Sequence, residues 1–488
     1  MSFLNPSGDL ASFTEVVPGS ASFSAPERSS ILTGRRRARV TPQTGPSVGS
    51  AGAGAGGSQV QFLVADQGGF VDMRSVVLNY TVLTSGGAVL DDSHPFMTVQ
   101  ALLNGQLLEN IQSAPKVANA EMCWGGSKSY YQSAGSMQGW ELLNADLQTT
   151  IASASVFPGA WGQVNANFSD ISARQTRVAA PQYNNIAGEQ RSIPLGLMCG
   201  LGRMKSYLPI SLIGEIALVL QTGQPGEVLF NSSSATTGDY SISNLSLEYD
   251  VVVPDQRYFA HLQKMAMEGG LVLPYESAIC TTGASVGASP SGLTETSVIV
   301  SRATNNLLRV AVAQIPTAGV SSINYPSQSC FSKAGTFSMQ WRVGSVVYPQ
   351  VACGGDAALF NMSLASLGSV TQENGAIPNR CLWASSSAPI GGTPTVYESA
   401  KAYYGSAGST ADAKFCWADR FLPAFGFQTC KGDIEPPAVD GISLAGASGS
   451  QISTTIVSAP AVAYTPYVIL TAIKFIKAAG GSVSVVGA

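Results

Sequence analysis

The chain has 488 residues, of which 11% are charged and 45% hydrophobic, and its formal net charge is -4. Soluble globular proteins usually carry about 25% charged residues, so a surface this poor in charge favours assembly into something larger. The hydrophobic fraction excludes a chain that is disordered throughout, the acidic balance excludes a protein that coats nucleic acid, and two histidines exclude His-rich metal sites.

Residues 1–58 differ in texture from the rest of the chain. They contain several prolines and the run SVGSAGAGAGGS, with little apolar periodicity. We expect a flexible N-terminal arm, because such a segment buries too little surface to offset its ordering entropy. Within the arm, the sequence GRRRAR supplies a dense basic cluster, Arg35, Arg36, Arg37 and Arg39. Two interpretations of the cluster stay open: contact with phosphate groups of nucleic acid or lipid, and a solvated tether or processing site.

Residues 59–254 consist of short β-rich runs separated by turn residues. The segment SVVLNYTVLTS carries apolar side chains on both faces, as expected for a strand in a two-sheet sandwich. Asn104 and Gly105 lie between two apolar runs, and Asn-Gly is typical of a type I′ hairpin turn. Long helical periodicity is rare here, which favours an antiparallel sandwich or barrel.

Residues 255–270 interrupt this pattern. Tyr258, Leu262 and Met265 have helical spacing and the segment ends in two glycines, so we predict a linker helix. The β-rich texture then resumes and continues from residue 271 to residue 488, with a second hairpin predicted in WRVGSVVYP.

The two halves of the chain run in parallel. Each has an early hairpin, then a short stretch with helical character, around Ala114–Cys123 and Ala357–Leu367, and a set of strands near its end. We interpret this as a weak internal duplication at a spacing of about 200 residues. Long regions rich in Gly, Ser and Ala lie at 124–190 and 368–410, and loops of this length are expected to contact neighbouring copies.

Motifs that carry chemistry have weak support. The pentapeptide GASVG, with Ser285 at its centre, matches the nucleophile-elbow pattern, but a Ser-, Gly- and Pro-rich loop surrounds it. The base could only be His94, in a turn-like stretch, or His261, on the predicted linker helix. Asp91, Asp92 and His94 are typical of a polar turn rather than of a metal site. We therefore predict a protein that is not an enzyme, with no catalytic residue, no metal site and no cofactor.

The N-terminal sequence lacks the basic start and apolar core of a secretion signal, and no apolar run reaches the ~18 residues of a membrane span. The eight cysteines are scattered without a C-x-x-C pair, which is typical of reduced, buried cysteines.

Several passages resemble the double jelly-roll major capsid proteins of double-stranded DNA viruses, of the Polinton-like virus, virophage and adintovirus type. They are the hairpin MQWRVGSVVYPQ, the passage YSISNLSLEYDVVVPDQRYFAHL, a strand pair with a Pro-marked corner in IPLGLMCGLGRMKSYLPISLIGEIALVLQT, and a closing pair, ISLAGASGSQISTTIV and YVILTAIKFI. The resemblance is one of layout and local texture over most of residues 58–488, and the chain is shorter than many virophage examples.

The resemblance implies an all-β fold with two tandem eight-stranded antiparallel jelly-roll sandwiches, at 59–254 and 271–488, joined by the linker helix at 255–270. It implies a structural major capsid protein whose pseudo-hexameric homotrimers tile an icosahedral shell, together with a pentameric vertex protein and minor capsid proteins. The N-terminal arm, residues 1–58, would lie inside and contact the genome or an internal membrane. The protein would be located in the virion capsid after synthesis in the host cytoplasm or nucleus.

An alternative function is a tandem β-sandwich adhesin or carbohydrate-binding protein. It accounts for the sandwiches and the aromatic loops, but not for the basic cluster or the missing export signal. A third hypothesis, a hydrolase on a β-sandwich, would rest on Ser285 alone.

Overall fold

The structure is a computed structural model of the chain. It describes residues 32–49, 56–65, 69–85, 89–90, 94–125, 189–230, 238–268, 270–289, 292–301, 306–317, 320, 323, 336–354, 356–366, 422–427, 441–444, 451–459, 463–479 and 482–486. In these residues most regular structure is β-strand, and every strand pairing is antiparallel. The predicted all-β class is therefore confirmed.

The first roll contains the strands that precede the central helix. They are β1 (Leu32–Val40), β2 (Gln59–Val64), β3 (Phe70–Thr84), β4 (Val89–Leu90), β5 (Phe96–Leu103), β6 (Gln106–Gln112), β7 (Glu189–Pro194), β8 (Ile216–Thr222), β9 (Leu229–Phe230) and β10 (Tyr240–Pro254). One sheet has the order β1–β10–β3–β7, a second has the order β2–β8–β5–β6, and β4 pairs with β9. Inward-facing side chains of the two large sheets, such as Phe62, Leu78 and Phe96, belong to one hydrophobic cluster.

The second roll contains the remaining strands. They are β11 (Leu271–Thr282), β12 (Thr294–Ser301), β13 (Leu307–Pro316), β14 (Thr336–Val343), β15 (Val346–Gly354), β16 (Ala424–Gly426), β17 (Gln451–Ala459), β18 (Tyr464–Ala479) and β19 (Ser482–Val486). One sheet has the order β11–β18–β13–β16, with β19 also paired to β18, and the other has the order β12–β17–β14–β15.

The two rolls share one plan. In each, a long strand from late in the roll lies inside one sheet: β10 between β1 and β3, and β18 between β11 and β13. A hairpin, β5–β6 or β14–β15, forms one edge of the other sheet. This agrees with the internal duplication expected from the sequence. Two predicted strand pairs are wrong: β7 and β8 lie in different sheets, and so do β17 and β18. In a jelly roll, consecutive strands cross from one sheet to the other, and texture along the chain cannot distinguish a crossing from a hairpin.

The helices connect or cover these sheets. They are α1 (Ala114–Gly125), α2 (Leu195–Met198), a 3-10 turn (Gly200–Arg203), α3 (Ile210–Ile213), α4 (Pro225–Val228), α5 (Gln256–Glu268) and α6 (Asp356–Ser366). Helices α1 and α6 follow the two hairpins, as predicted. Helix α5 lies in sequence between the rolls, and its aromatic side chains Tyr258 and Phe259 contact the ring of Phe70 in β3.

The hairpin turn at Asn104 and Gly105 has the predicted geometry. The two residues have φ angles of 48° and 80°, the left-handed values that a type I′ turn needs at both central positions. This turn fixes the register between β5 and β6, and β6 forms part of the junction described below.

The structure corrects the extent of the N-terminal arm. Residues Leu32–Val40 form β1, which pairs along its length with β10, so the flexible arm predicted for residues 1–58 is wrong for this segment. The sequence signal is weak because β1 is an edge strand whose inner face contributes only small or medium side chains, Ala38 and Val40, to the core. Residues 1–31, and nearly all of the long regions predicted to contact neighbouring copies, lie outside the described residues.

Candidate functional site

A junction between the two rolls contains buried polar and charged groups. It forms where β6 of the first roll lies beside β11 of the second. The backbone carbonyl of Leu108 accepts a hydrogen bond from the Tyr275 hydroxyl, at 2.9 Å, and one from the Lys474 ammonium, at 3.3 Å. Both donors belong to the second roll and both are buried, so these bonds tie an edge strand of one roll to the other without solvent between them.

Glu109 is fully buried in this junction. Its carboxylate accepts hydrogen bonds from the backbone N–H groups of Gly200, at 3.2 Å, Leu201, at 3.1 Å, and Ala278, at 3.4 Å. The first two donors lie in the 3-10 turn and the third lies in β11. Burial raises the pKa of Glu109, while these turn amides and the charge of Lys474 oppose the rise.

The 3-10 turn approaches β11 so closely that only glycine fits at its first residue. A Cβ atom on Gly200 would overlap the backbone carbonyl oxygen of Glu276 and would lie 3.0 Å from the Glu109 carboxylate. Backbone therefore packs directly on backbone between the rolls at this point, which leaves little freedom for one roll to move against the other.

A second charged cluster joins α1 to the second roll. The Arg309 guanidinium of β13 donates from one nitrogen to both carboxylate oxygens of Glu121, at 2.7 and 2.6 Å, and Arg203 lies 3.2 Å from the same carboxylate. These side chains are only 20–28% exposed. Burial alone would raise the pKa of Glu121, but the charges of Arg309 and Arg203 outweigh it and lower that pKa.

Helix α1 also places a lysine against the second roll. The Lys116 ammonium lies 4.8 Å from the centroid of the Tyr467 ring in β18, and the lysine is 1% exposed. A desolvated cation over an aromatic face is attracted by the ring quadrupole. Together with Glu109 and Glu121, this contact makes the junction a specific one, and the hydrophobic cluster that fills both rolls is continuous across it.

The arginines predicted from the sequence lie on β1, away from the junction. Arg35 donates from Nε to the carboxylate of Asp250 at 3.0 Å, and Arg37 donates to Glu248 at 2.9 Å, both on the neighbouring strand β10. Both arginines are more than half exposed. Arg36 and Arg39 are exposed on the same strand. The predicted phosphate contact stays a prediction, and the structure shows the carboxylates with which a phosphate would compete.

The residues considered for catalysis are dispersed. The Ser285 hydroxyl lies 3.1 Å from the Thr465 hydroxyl in the second roll. His94 is buried in the first roll, where burial and the charge of Arg191 lower its pKa to about 3, and His261 is exposed on α5. In the described ranges, no group of three or more His, Cys, Asp or Glu side chains is placed to hold a metal ion.

Exposed apolar side chains are distributed unevenly between the rolls. Of the nine large hydrophobic side chains that the described residues expose, seven belong to α5 or the second roll: Met265, Met267, Val272, Leu293, Ile299, Val346 and Val351. Val351 is the extreme case, at 82% exposure on the edge strand β15. Apolar side chains on sheet edges are typical of surfaces that other chains cover.

Glu109 and Glu121 were not predicted from the sequence. Glu109 follows two leucines in the strand LLENIQ, and Glu121 lies in a helix with otherwise few charges. In a chain with 11% charged residues, a lone carboxylate in such an element is the signal that could have indicated a buried, partnered group. Within the described residues, no helix combines the length and the apolar character that crossing a bilayer requires.

Comparisons with known proteins give matches in structure only. No protein-family profile matches the chain, and no curated protein matches it. Among solved structures, PBCV-1 VP54, fitted into a reconstruction of the virophage Sputnik, is 10% identical with a TM-score of 0.56, covering 96% of this chain and 99% of that chain. The Faustovirus major capsid protein is 8% identical with a TM-score of 0.55, covering 95% of this chain and 92% of that chain.

The structure of the Sputnik virophage itself matches with a TM-score of 0.52 at 10% identity, covering 97% of this chain and 92% of that chain. The fold assignment has three supports: the strand order, the helix between the rolls and these superpositions. The chain has the double jelly-roll fold, and it shares that fold with viral major capsid proteins.

Proposed function

We propose that the protein is a major capsid protein that self-associates into the shell of a virus. One observation carries this proposal: the two fused rolls match viral capsid structures over nearly the full length of both chains, for example 96% and 99% for PBCV-1 VP54. The match extends over both rolls. Fold alone does not fix function, so the surface and the junction supply the second part of the argument.

The surface supports assembly with copies of the same chain. The sequence has few charges, and the second roll and α5 expose most of the large apolar side chains found on the described surface. A ring of three copies needs a heterologous contact, in which one patch of each copy meets a different patch of the next. An apolar surface concentrated on one of two otherwise similar rolls suits such a contact.

The junction supports a pseudo-hexameric outline. Because Glu109, Glu121 and Lys116 fix the two rolls to each other, each copy contributes two lobes in a constant arrangement, and a homotrimer has six. Such trimers would tile an icosahedral shell, with a pentameric vertex protein and minor capsid proteins at positions that a six-lobed unit cannot fill. The protein would be located in the virion after synthesis in the host cytoplasm or nucleus.

The inner side of the shell is the proposed location of the residues that precede β1. The arginines of β1, Arg35, Arg36, Arg37 and Arg39, would lie near it and contact phosphate groups of the genome or of lipid. For Arg35 and Arg37, such contact would exchange the carboxylates of Asp250 and Glu248 for phosphate.

The oligomeric state of the purified chain tests this proposal. We expect sedimentation velocity to give a stable species of about 150 kDa, three times the 50.4 kDa chain, and negative-stain images of that species to have a hexagonal outline. A well-folded monomer at micromolar concentration, with no larger species on concentration, would contradict the proposal.

A further inference from the structure

The Glu109 carboxylate joins three segments that are distant in sequence. Glu109 lies on β6 in the first roll, Gly200 and Leu201 lie in the 3-10 turn, and Ala278 lies on β11 in the second roll. An ionised carboxylate has about four acceptor positions on two oxygens, whereas a glutamine amide offers one oxygen and two donors. A carboxylate is therefore suited to receive N–H groups from two directions at once.

Stability gives little reason for a buried carboxylate at this position. Taking an ionised group out of water is costly, and apolar residues of similar volume often serve as well for stability. The groups that face Glu109 are Lys474 from β18, Ser277 and Tyr275 from β11, and Cys199, the residue before the 3-10 turn. One ammonium that also donates to Leu108 compensates the charge only in part.

We propose that Glu109 is the positioning residue that sets the orientation of the second roll relative to the first, by joining β6, the 3-10 turn and β11 through one carboxylate. The close approach of Gly200 to the backbone of Glu276 defines the distance between the rolls, and the bonds from Glu109 define their alignment. The proposal rests on the proposed function in one respect: the orientation of the rolls determines the outline of the assembled unit.

Amide hydrogen exchange on the full-length protein tests the proposal directly. The variants are Glu109→Gln and, as a control, Glu295→Gln, which removes an exposed carboxylate on β12. We expect the amides of Gly200, Leu201 and Ala278 to exchange about tenfold faster in Glu109→Gln, because bonds to a charged acceptor are lost. The control variant leaves their exchange unchanged.

A second amide separates positioning from a general loss of stability. The N–H of Ala424 donates to the buried hydroxyl of Ser363 at 2.9 Å, an uncharged acceptor within the second roll. Its protection stays at the wild-type value if Glu109 acts locally. Unchanged exchange at the three junction amides, or an equal loss at Ala424, would overturn the proposal.

A pH series on the wild-type chain does not require the variant to fold. If Glu109 only filled space, the exchange protection of the junction amides would not depend on its titration. After correction for intrinsic exchange chemistry, protection of the three junction amides rises as pH is lowered, because the raised pKa of Glu109 makes the closed junction bind a proton more tightly than the open one. Protection of the Ala424 amide does not change with pH in this way. A pH-independent protection at the junction would contradict the proposal.

Images of the assembled species distinguish this inference from the proposed function. With Glu109→Gln, we expect trimers with a more variable six-lobed outline and fewer closed shells than with Glu295→Gln. If neither chain forms trimers, the proposed function fails, and the exchange data still decide the role of Glu109. If trimers form normally and exchange is unchanged, the positioning role alone fails.

Discussion

Glu109 and Glu121 lie at the same junction but are held in opposite ways. Glu109 receives backbone N–H groups, which fix its position and leave the cost of burying its charge largely uncompensated, so its pKa is raised. Glu121 receives the guanidinium groups of Arg309 and Arg203, which compensate the charge and lower its pKa. The difference shows that one interface can use the same side chain for alignment at one point and for attraction at another.

The two carboxylates also give opposite dependences on pH. The pKa of Glu121 is below its ordinary value of 4.5 in the folded state, so its stabilising contribution is present above that value and is lost as pH falls. The pKa of Glu109 is raised, so its contribution is present below 4.5 and is lost as pH rises through the folded-state pKa. Acid therefore weakens one half of the junction and relieves the other.

The largest loss of stability is expected where the backbones of the two rolls meet. We expect Gly200→Ala to destabilise the folded chain by about 3 kcal/mol or more, because the added methyl group overlaps the Glu276 carbonyl and must separate the rolls. Urea unfolding measures the change. The control is Gly287→Ala, whose Cβ would meet no atom within 4 Å. Equal unfolding midpoints for the two variants would show that the rolls tolerate separation at this point.

Removing the charge of Glu121 should have the next largest effect. Glu121→Gln leaves Arg309 and Arg203 beside each other with only the exposed Glu276 to offset the charge of Arg309, and we expect a loss of about 2–3 kcal/mol in the free energy of unfolding. Glu248→Gln is the matched control, because it breaks the ion pair with the half-exposed Arg37, and such pairs contribute less than about 1 kcal/mol. Similar losses in both variants would contradict the importance of burial for the Glu121 cluster.

His94 gives a third contribution to the pH dependence of stability, because it also destabilises the fold in acid. Its pKa is about 3 in the folded state against an ordinary 6.5, so the unfolded chain binds a proton in this interval and the folded chain does not. Stability therefore falls by about 1.4 kcal/mol per pH unit as pH drops below 6.5. In His94→Phe the part of the slope that His94 contributes is removed, while in His261→Gln, at an exposed position, that part persists. Urea midpoints between pH 7 and 5 measure the slope, and this interval lies above the range in which Glu121 titrates.

A substitution far from the junction should have the smallest effect on folding. Val351→Lys places a charge on a side chain that is 82% exposed, so the monomer should keep its stability within about 0.5 kcal/mol. If β15 contacts a neighbouring copy in the proposed trimer, burying the charge should weaken that trimer about tenfold by sedimentation equilibrium. Gln350→Lys is the control, because it adds the same charge at the adjacent position of the strand. No change in trimer affinity with Val351→Lys would remove β15 from the candidate contacts.

The sequence was sufficient for the fold class, the hairpins and the helices that follow them. Alternating apolar residues and the Asn104-Gly105 turn are local signals, and local signals survive in a single sequence. The assignment of strands to sheets was not accessible in the same way, because pairs such as β1 with β10 join residues more than 200 positions apart. Basic side chains on β1 hid an edge strand, because the carboxylates of β10 that pair with Arg35 and Arg37 are distant in sequence.

The junction was out of reach for a related reason. Glu109 and Glu121 acquire their roles only when the second roll places Ala278 and Arg309 beside them. The charge of a side chain is visible in a sequence, but the groups that surround it after folding are not. The local indication was one carboxylate in a short strand and one in a helix with few charges.

Strand β18 has a consequence for the order of events during synthesis. It occupies the middle of its sheet, between β11 and β13, and it carries both Tyr467 and Lys474, yet it is translated after every other described strand except β19. A nascent chain therefore lacks the centre of the second roll until β18 itself has been translated. Until then the edges of β11 and β13 that β18 covers stay unpaired, so the second roll cannot close before that point in synthesis.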